Sequence, residues 1–273
     1  MQAPEEAGML DSLPSFSSRY LKPRQVDIWL PPGYDHRSGS RYPVLYMHDG
    51  QNLFTPDYAY GGVDWGIDPI FTHLIQAGVI RPVIVVGIWN TDRRWQEYLP
   101  LRPLETPQGR KARAALGPEF ADGPLADAYL KLIVEELKPA IDARYPTASG
   151  QQDTFIMGSS MGGLVSLYAI CEYPHIFAGA GCLSTHWLPV AQVIQPYLEA
   201  ALPDPQNHRI YFDHGTETLD QHYAPHQQKV DQVMRQKGYT LGENWQSLKF
   251  EGAEHSEKAW RERLEIPAQF LLG

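Results

Sequence analysis

The chain has 273 residues, 43% of them hydrophobic and 20% charged, which is enough to bury a full core. A formal net charge of −9, with no block of lysine or arginine, speaks against nucleic acid and anionic membrane surfaces as partners. No apolar run approaches a membrane span, and residues 1–6 lack the basic and apolar stretches of a signal peptide. A soluble protein is expected, cytoplasmic or, if a leader has been removed, periplasmic or secreted. Oligomeric state has no signature in the chain.

In chain order, residues 1–20 are expected to form a loosely ordered arm. Residues 26–30 alternate as a strand does and stop at Pro31-Pro32-Gly33. Short apolar runs follow at 44–47 and 83–88, the second dense enough for an inner parallel strand. Further strands are expected at 154–157, 177–183, 210–212 and 248–250. Helical patterns lie between most of them, at 67–75, 125–141, 164–170, 190–198, 227–237 and 259–272. Pro139 predicts a kink or break near Glu136, because the ring removes a donor and clashes with the preceding turn. The stretch 99–123 has no periodicity and carries Arg110, Lys111 and Arg113; its length suggests a pocket-covering loop. Cys171 and Cys182 fit neither a disulfide framework nor a metal spacing and read as buried thiols. The alternation predicts an α/β fold with a mostly parallel central sheet and helices on both faces, in one domain over 1–273.

The chemistry is concentrated at Gly158-Ser159-Ser160-Met161-Gly162, between an apolar strand and a helix. A Gly-x-Ser-x-Gly turn in that setting is a nucleophile elbow, and the glycines keep side chains clear of the serine. Ser160 then stands at the positive end of a helix. A serine needs a base, and the base an orienting acid, here in the chain order Ser, acid, His. His255, after a strand and a Gly-containing turn, is the late histidine in the required setting. His186 follows an earlier strand, as a pocket-lining residue. For the acid, the loop after 210–212 offers Asp220 and Glu217, with Asp220 favoured for its place before a helix start. The oxyanion would be held by the N–H groups of Met161 and of Gln51, the latter reached through a turn at Gly50.

Arg41 to Gln51 resembles the first block of the esterase-D and enterochelin-esterase-like serine hydrolases. Asn90 to Tyr98, Gly158 to Gly163, and Gly252 to Trp260 are similar to its later blocks. The resemblance implies an α/β-hydrolase fold, carboxylic ester hydrolysis through an acyl-enzyme, and neither metal nor organic cofactor. It also implies a small-molecule ester as the partner; members include siderophore, feruloyl and acetylxylan esterases and S-formylglutathione hydrolases. Relatives commonly place the acid where this chain has Thr218, and some enzymes of the group work with a Ser–His pair. Arg93, Tyr98 and Trp187 are the candidate substrate contacts, with Trp65, Trp89 and Trp95 beside other strand ends. An acyltransferase or thioesterase would share the same residues, and a non-catalytic binder would share the fold.

Overall fold

A computed structural model describes residues 7–273. The strands are β1 (Met9–Phe16), β2 (Arg24–Leu30), β3 (Val44–His48), β4 (Ile84–Ile88), β5 (Thr154–Ser159), β6 (Gly179–Leu183), β7 (Arg209–His214) and β8 (Trp245–Lys249). They form one sheet in the order β1-β2-β4-β3-β5-β6-β7-β8. β1 and β2 are antiparallel additions at one edge, and all the other pairings are parallel.

The helices are α1 (Ile67–Gln76), α2 (Arg94–Glu97), α3 (Arg102–Glu105), α4 (Pro107–Ala114), α5 (Ala126–Lys131), α6 (Lys138–Arg144), α7 (Met161–Glu172), α8 (Ile194–Ala201), α9 (Ala224–Gln236), α10 (Glu257–Arg263) and α11 (Glu265–Leu272). Successive strand residues feed opposite faces of the sheet. Val44, Tyr46, Ile156 and Phe212 pack with α5 to α9 on one face. Leu45, Met47, Met157 and Tyr211 pack with α1, α10 and α11 on the other. Burial on both faces explains why the inner strands read as unbroken apolar runs. The parallel register sets Ser159 beside Leu183 and Leu183 beside Asp213, so the loops after β3 to β8 gather at one end of the sheet. Ligand sites of open α/β sheets lie at that end.

Two expectations are corrected and one is refined. Within the expected arm, 9–16 is β1, paired with β2 and tied down where Tyr145 OH donates to Asp11 at 2.7 Å; residues 1–6 lie outside the described residues. The irregularity expected near Glu136 takes the form of a π-helical turn, Leu132–Leu137, between α5 and α6, and the chain stays helical on through Pro139. Widening the turn there accommodates the proline, which enters α6 at its first turn, where no N–H is needed. The stretch 99–123 is largely helical, holding α3, α4 and a 3-10 turn at Pro118–Phe120. Only Gly109 of α4 is buried, so this helix has no apolar face and leaves no periodicity to read.

Candidate active site

β5 ends at Ser159, and α7 starts at Met161. Ser160 bridges them at φ 58°, ψ −121°, a backbone state that costs on the order of 1–3 kcal/mol and persists only where its surroundings enforce it. They do so through three bonds. Ser160 N–H donates to Leu183 O at 2.9 Å, and its carbonyl accepts from Leu164 N–H at 3.1 Å and His186 N–H at 3.0 Å. A Cβ on Gly158 would lie 3.0 Å from both the Gly162 backbone and His48 Cδ2, so the elbow closes only without one.

The loops after β7 and β8 bring the next two residues together. His255 Nδ1 meets Asp220 Oδ1 at 2.5 Å, and the fully buried Asp220 takes Ser184 O–H and Gly215 N–H on Oδ2, each at 2.6 Å. Burial alone would raise the Asp220 carboxyl; the bonds from His255 and Ser184 outweigh it and hold the group below its ordinary value. Glu217 is exposed and precedes the 3-10 turn Thr218–His222 that carries Asp220 inward. Thr218, where relatives carry the acid, accepts His255 N–H on its hydroxyl at 2.8 Å. Trp260 packs edge-on against the His255 ring at 4.9 Å. The other face of the site continues through Tyr223, 5.8 Å from the His255 ring, whose hydroxyl lies 2.6 Å from His186 Nδ1. Among the described residues His255 bonds Asp220 and Thr218 and not Ser160 Oγ. Bonds of that kind are commonly long in an empty site and tighten around substrate.

After β3 the chain turns through Asp49 in the left-handed region, φ 56°. Asp49 takes Arg94 Nε and Nη2, both at 2.7 Å, and Asn90 Nδ2 at 2.6 Å. Burial pushes the Asp49 carboxyl up, but Arg94 dominates and keeps it low. A Cβ on Gly50 would lie 2.5 Å from the Gly87 carbonyl carbon, so only glycine lets this turn press against β4. Gln51 is the middle residue of that 3-10 turn, and its side-chain oxygen accepts Asn90 N–H at 3.3 Å. Met161 opens α7, whose first-turn N–H groups have no acceptor within the helix. His48, fully enclosed, bonds Tyr129 OH through Nδ1 at 2.8 Å, and burial holds it down at about 3, hence neutral.

The expected substrate contacts are placed as follows. Tyr98 is fully buried, its hydroxyl accepting Asp49 N–H at 3.2 Å. Trp187 is buried against Phe212, and Trp65 against Trp260. Arg93 pairs with Asp122 at 3.2 Å. Trp95, already a candidate from its strand end, and Glu257, which no motif singles out, lie nearer the chemistry. Trp95 is exposed and meets His186 edge-on at 5.9 Å, with Phe120 behind it at 5.4 Å. Glu257, two residues beyond His255, takes Asn52 Nδ2 at 3.2 Å, and burial first, then Asp49, raises it to about 7. A helix-opening glutamate after a catalytic-type histidine was the available signal for it. A recess of about 200 Å³ lies beside Gln51, lined by Phe54, Tyr58 and Trp89. A larger one, about 430 Å³, is at the opposite end of the sheet, where β5 to β7 begin. Among the described residues no group of three or more His, Cys, Asp or Glu is placed to hold a metal ion. No helix among them is long and apolar enough to cross a membrane.

Residues 17–269 match the model of the family described as "Putative esterase". The Bacillus subtilis (strain 168) protein called uncharacterized protein YbbA is 24% identical over 267 residues, covering 95% of this chain and 96% of that one. Ferri-bacillibactin esterase BesA of the same organism is 28% identical over 154 residues, 54% of this chain and 49% of its own length. The solved CE1 ferulic acid esterase AmCE1/Fae1A from Anaeromyces mucronatus superposes with a TM-score of 0.69 at 18% identity, covering 99% of this chain and 92% of that one.

Proposed function

This chain belongs to the esterase family and is a hydrolase acting on ester bonds; on that premise we propose that it works as a serine carboxylesterase through an acyl-enzyme on Ser160. His255 takes the proton of Ser160 as the hydroxyl attacks the ester carbonyl, and returns it to the leaving alcohol. Asp220 accepts Nδ1–H, which leaves the lone pair on Nε2 and offsets the charge of the imidazolium. Glu217 has no part in this reading, because it is exposed. The N–H groups of Met161 and Gln51 hold the oxyanion, the first at the positive end of α7. Water, activated by His255, then releases the acid.

The observation that carries the reading is the 2.5 Å His255–Asp220 bond, formed at the end of the sheet where Ser160 is held in an elbow. The sheet that bears all these loops supports one α/β-hydrolase domain over the chain, with 99–123 covering the site through Phe120, which packs on Trp95. The partner is a small-molecule ester. Two relatives are named for a siderophore and for ferulic acid, and the exposed rings of Trp95 and Tyr58 favour an aromatic acyl or alcohol group here too.

Hydrolysis of p-nitrophenyl esters from acetate to octanoate tests the reading. Ser160→Ala is expected to lower kcat by roughly 10⁴-fold or more. Wild-type turnover by that variant would sink it.

A further inference from the structure

Ser184 follows β6, and its backbone is left-handed at φ 40°, which residues other than glycine seldom adopt. Its N–H donates to Asp213, to the carbonyl at 2.9 Å and to Oδ1 at 3.1 Å. The fully buried side chain has three partners: Asp220 Oδ2 at 2.6 Å, Trp260 Nε1 at 2.9 Å and Arg263 Nη2 at 2.9 Å. Indole and guanidinium groups donate and cannot accept. Both must therefore point a hydrogen at Ser184 Oγ, and the hydroxyl proton has one acceptor left, Asp220.

Arg263 is itself fixed. Its Nε and Nη2 reach Asp213 Oδ2 and Oδ1, both at 3.0 Å, and Tyr211 O–H also donates to Asp213 at 2.9 Å. The bonds thus run in one direction, from a buried cation through a hydroxyl to a carboxylate, and low local polarity strengthens such chains. On Asp220 the result is a division of labour. Oδ2 is occupied by Ser184 and by Gly215, whose backbone packs so closely on the loop after β8 that a Cβ there would lie 2.1 Å from Ala253 O. Oδ1 is left for His255.

Resting on the assignment of Asp220 as the acid, we infer that Ser184, backed by Arg263, is a positioning residue that holds Asp220 charged and turned toward His255. Ser184 touches no reacting atom; it acts through Asp220. The chemistry of the donors makes the hydroxyl irreplaceable by an apolar side chain of equal size. Without it, Asp220 loses a donor and binds the imidazolium more strongly, so the acid-side loss of activity moves to higher pH. Other groups around His255 are accounted for. Burial and then His255 hold His186 down at about 4, and burial pushes Tyr223 up, so neither changes charge near neutrality. Asp49 is held low and Arg94 high, and both keep their charges. Glu257, raised to about 7, does titrate there.

The test is kcat and KM against pH for wild type, Ser184→Ala, Arg263→Lys and Asp220→Asn, repeated in a Glu257→Gln background, with Tm as the check on folding. Ser184→Ala is expected to lose roughly tenfold in kcat at unchanged KM, with its acid limb displaced to higher pH in both backgrounds. Arg263→Lys keeps a cation against Asp213 but loses the planar fork toward Ser184, and should shift the limb the same way by less. A folded Ser184→Ala protein whose profile superposes on wild type, or whose KM alone rises, overturns the inference. If Ser184→Ala does not fold, an unmoved limb in Arg263→Lys overturns it instead. Full activity in Asp220→Asn would show that the acid assignment itself has failed, and the positioning role with it.

Discussion

Behind His255, Arg263 meets Asp213 through two bonds of 3.0 Å; behind the Asp49–Gln51 turn, Arg94 meets Asp49 through two of 2.7 Å. Both are fork-on-carboxylate pairs set in low-polarity surroundings at the same end of the sheet. They differ in what they end on. The Arg263 pair reaches, through Ser184, the side chain of Asp220 and so, in the proposed mechanism, the imidazole that it orients. The Arg94 pair braces the left-handed Asp49 ahead of Gly50 and Gln51, which in the proposed mechanism aims the Gln51 N–H. In the proposed mechanism one cluster sets charge and the other geometry. Buried ion pairs are weak evidence for stability, and these two illustrate the better-attested use, fixing one conformation out of several.

The sharpest way to break the comparison is Asp220→Asn. An amide can turn its NH₂ toward Nδ1, which places the proton on Nε2 and leaves His255 unable to act as base. A drop in kcat of about 10³- to 10⁴-fold is expected, with the fold retained. A loss under tenfold would mean that His255 is held by other means.

Arg94→Met should cost less activity and more stability. It strands Asp49 with Asn90 as its remaining side-chain partner, and removing one member of a buried pair costs about 3–5 kcal/mol. Because Gln51 is then less well aimed, kcat should fall by about 10- to 100-fold in the protein that remains folded. Urea unfolding and turnover at low temperature separate the two effects. Normal turnover in folded protein would show that the Asp49 turn does not aim an oxyanion donor.

The contrast also explains what was legible in the sequence. An elbow is a local requirement, two glycines around a serine between a strand and a helix, so Ser160 can be read from five residues. His255 follows from strand order. The acid does not: Asp220 and Glu217 share one loop, and what separates them is the Ser184 hydroxyl just after β6 and a turn that carries one inward and leaves the other exposed. Arg93, Tyr98 and Trp187 were chosen for standing beside strand ends, which describes backbone. Where their side chains go depends on Asp122, the Asp49 N–H and Phe212, all distant in sequence. Arg94, one residue along, is the side chain that reaches Asp49. Edge strand β1 and helix α4 are exposed and offered no hydrophobic pattern, whereas the five inner parallel strands, β3 to β7, did.

The smallest expected effect concerns Glu257, which reverses the behaviour of Asp220. The Asp220 carboxyl is held below its ordinary value of 3.8, so it contributes stability above that pH and loses it as the solution becomes more acidic. Glu257 is raised from 4.5 to about 7, chiefly by burial. Between those two values the folded protein binds a proton that the unfolded chain has released, so this group's contribution falls as pH rises and levels off above about 7. Glu257→Gln removes the titration while keeping an acceptor for Asn52. The Tm of the variant relative to wild type should therefore climb from pH 4.5 to about 7 and then stay constant. A difference independent of pH would mean that Glu257 is solvated well enough to stay charged. Its place between Asn52 and His255 would then bring a permanent negative charge to the rim of the site, disfavouring anionic esters.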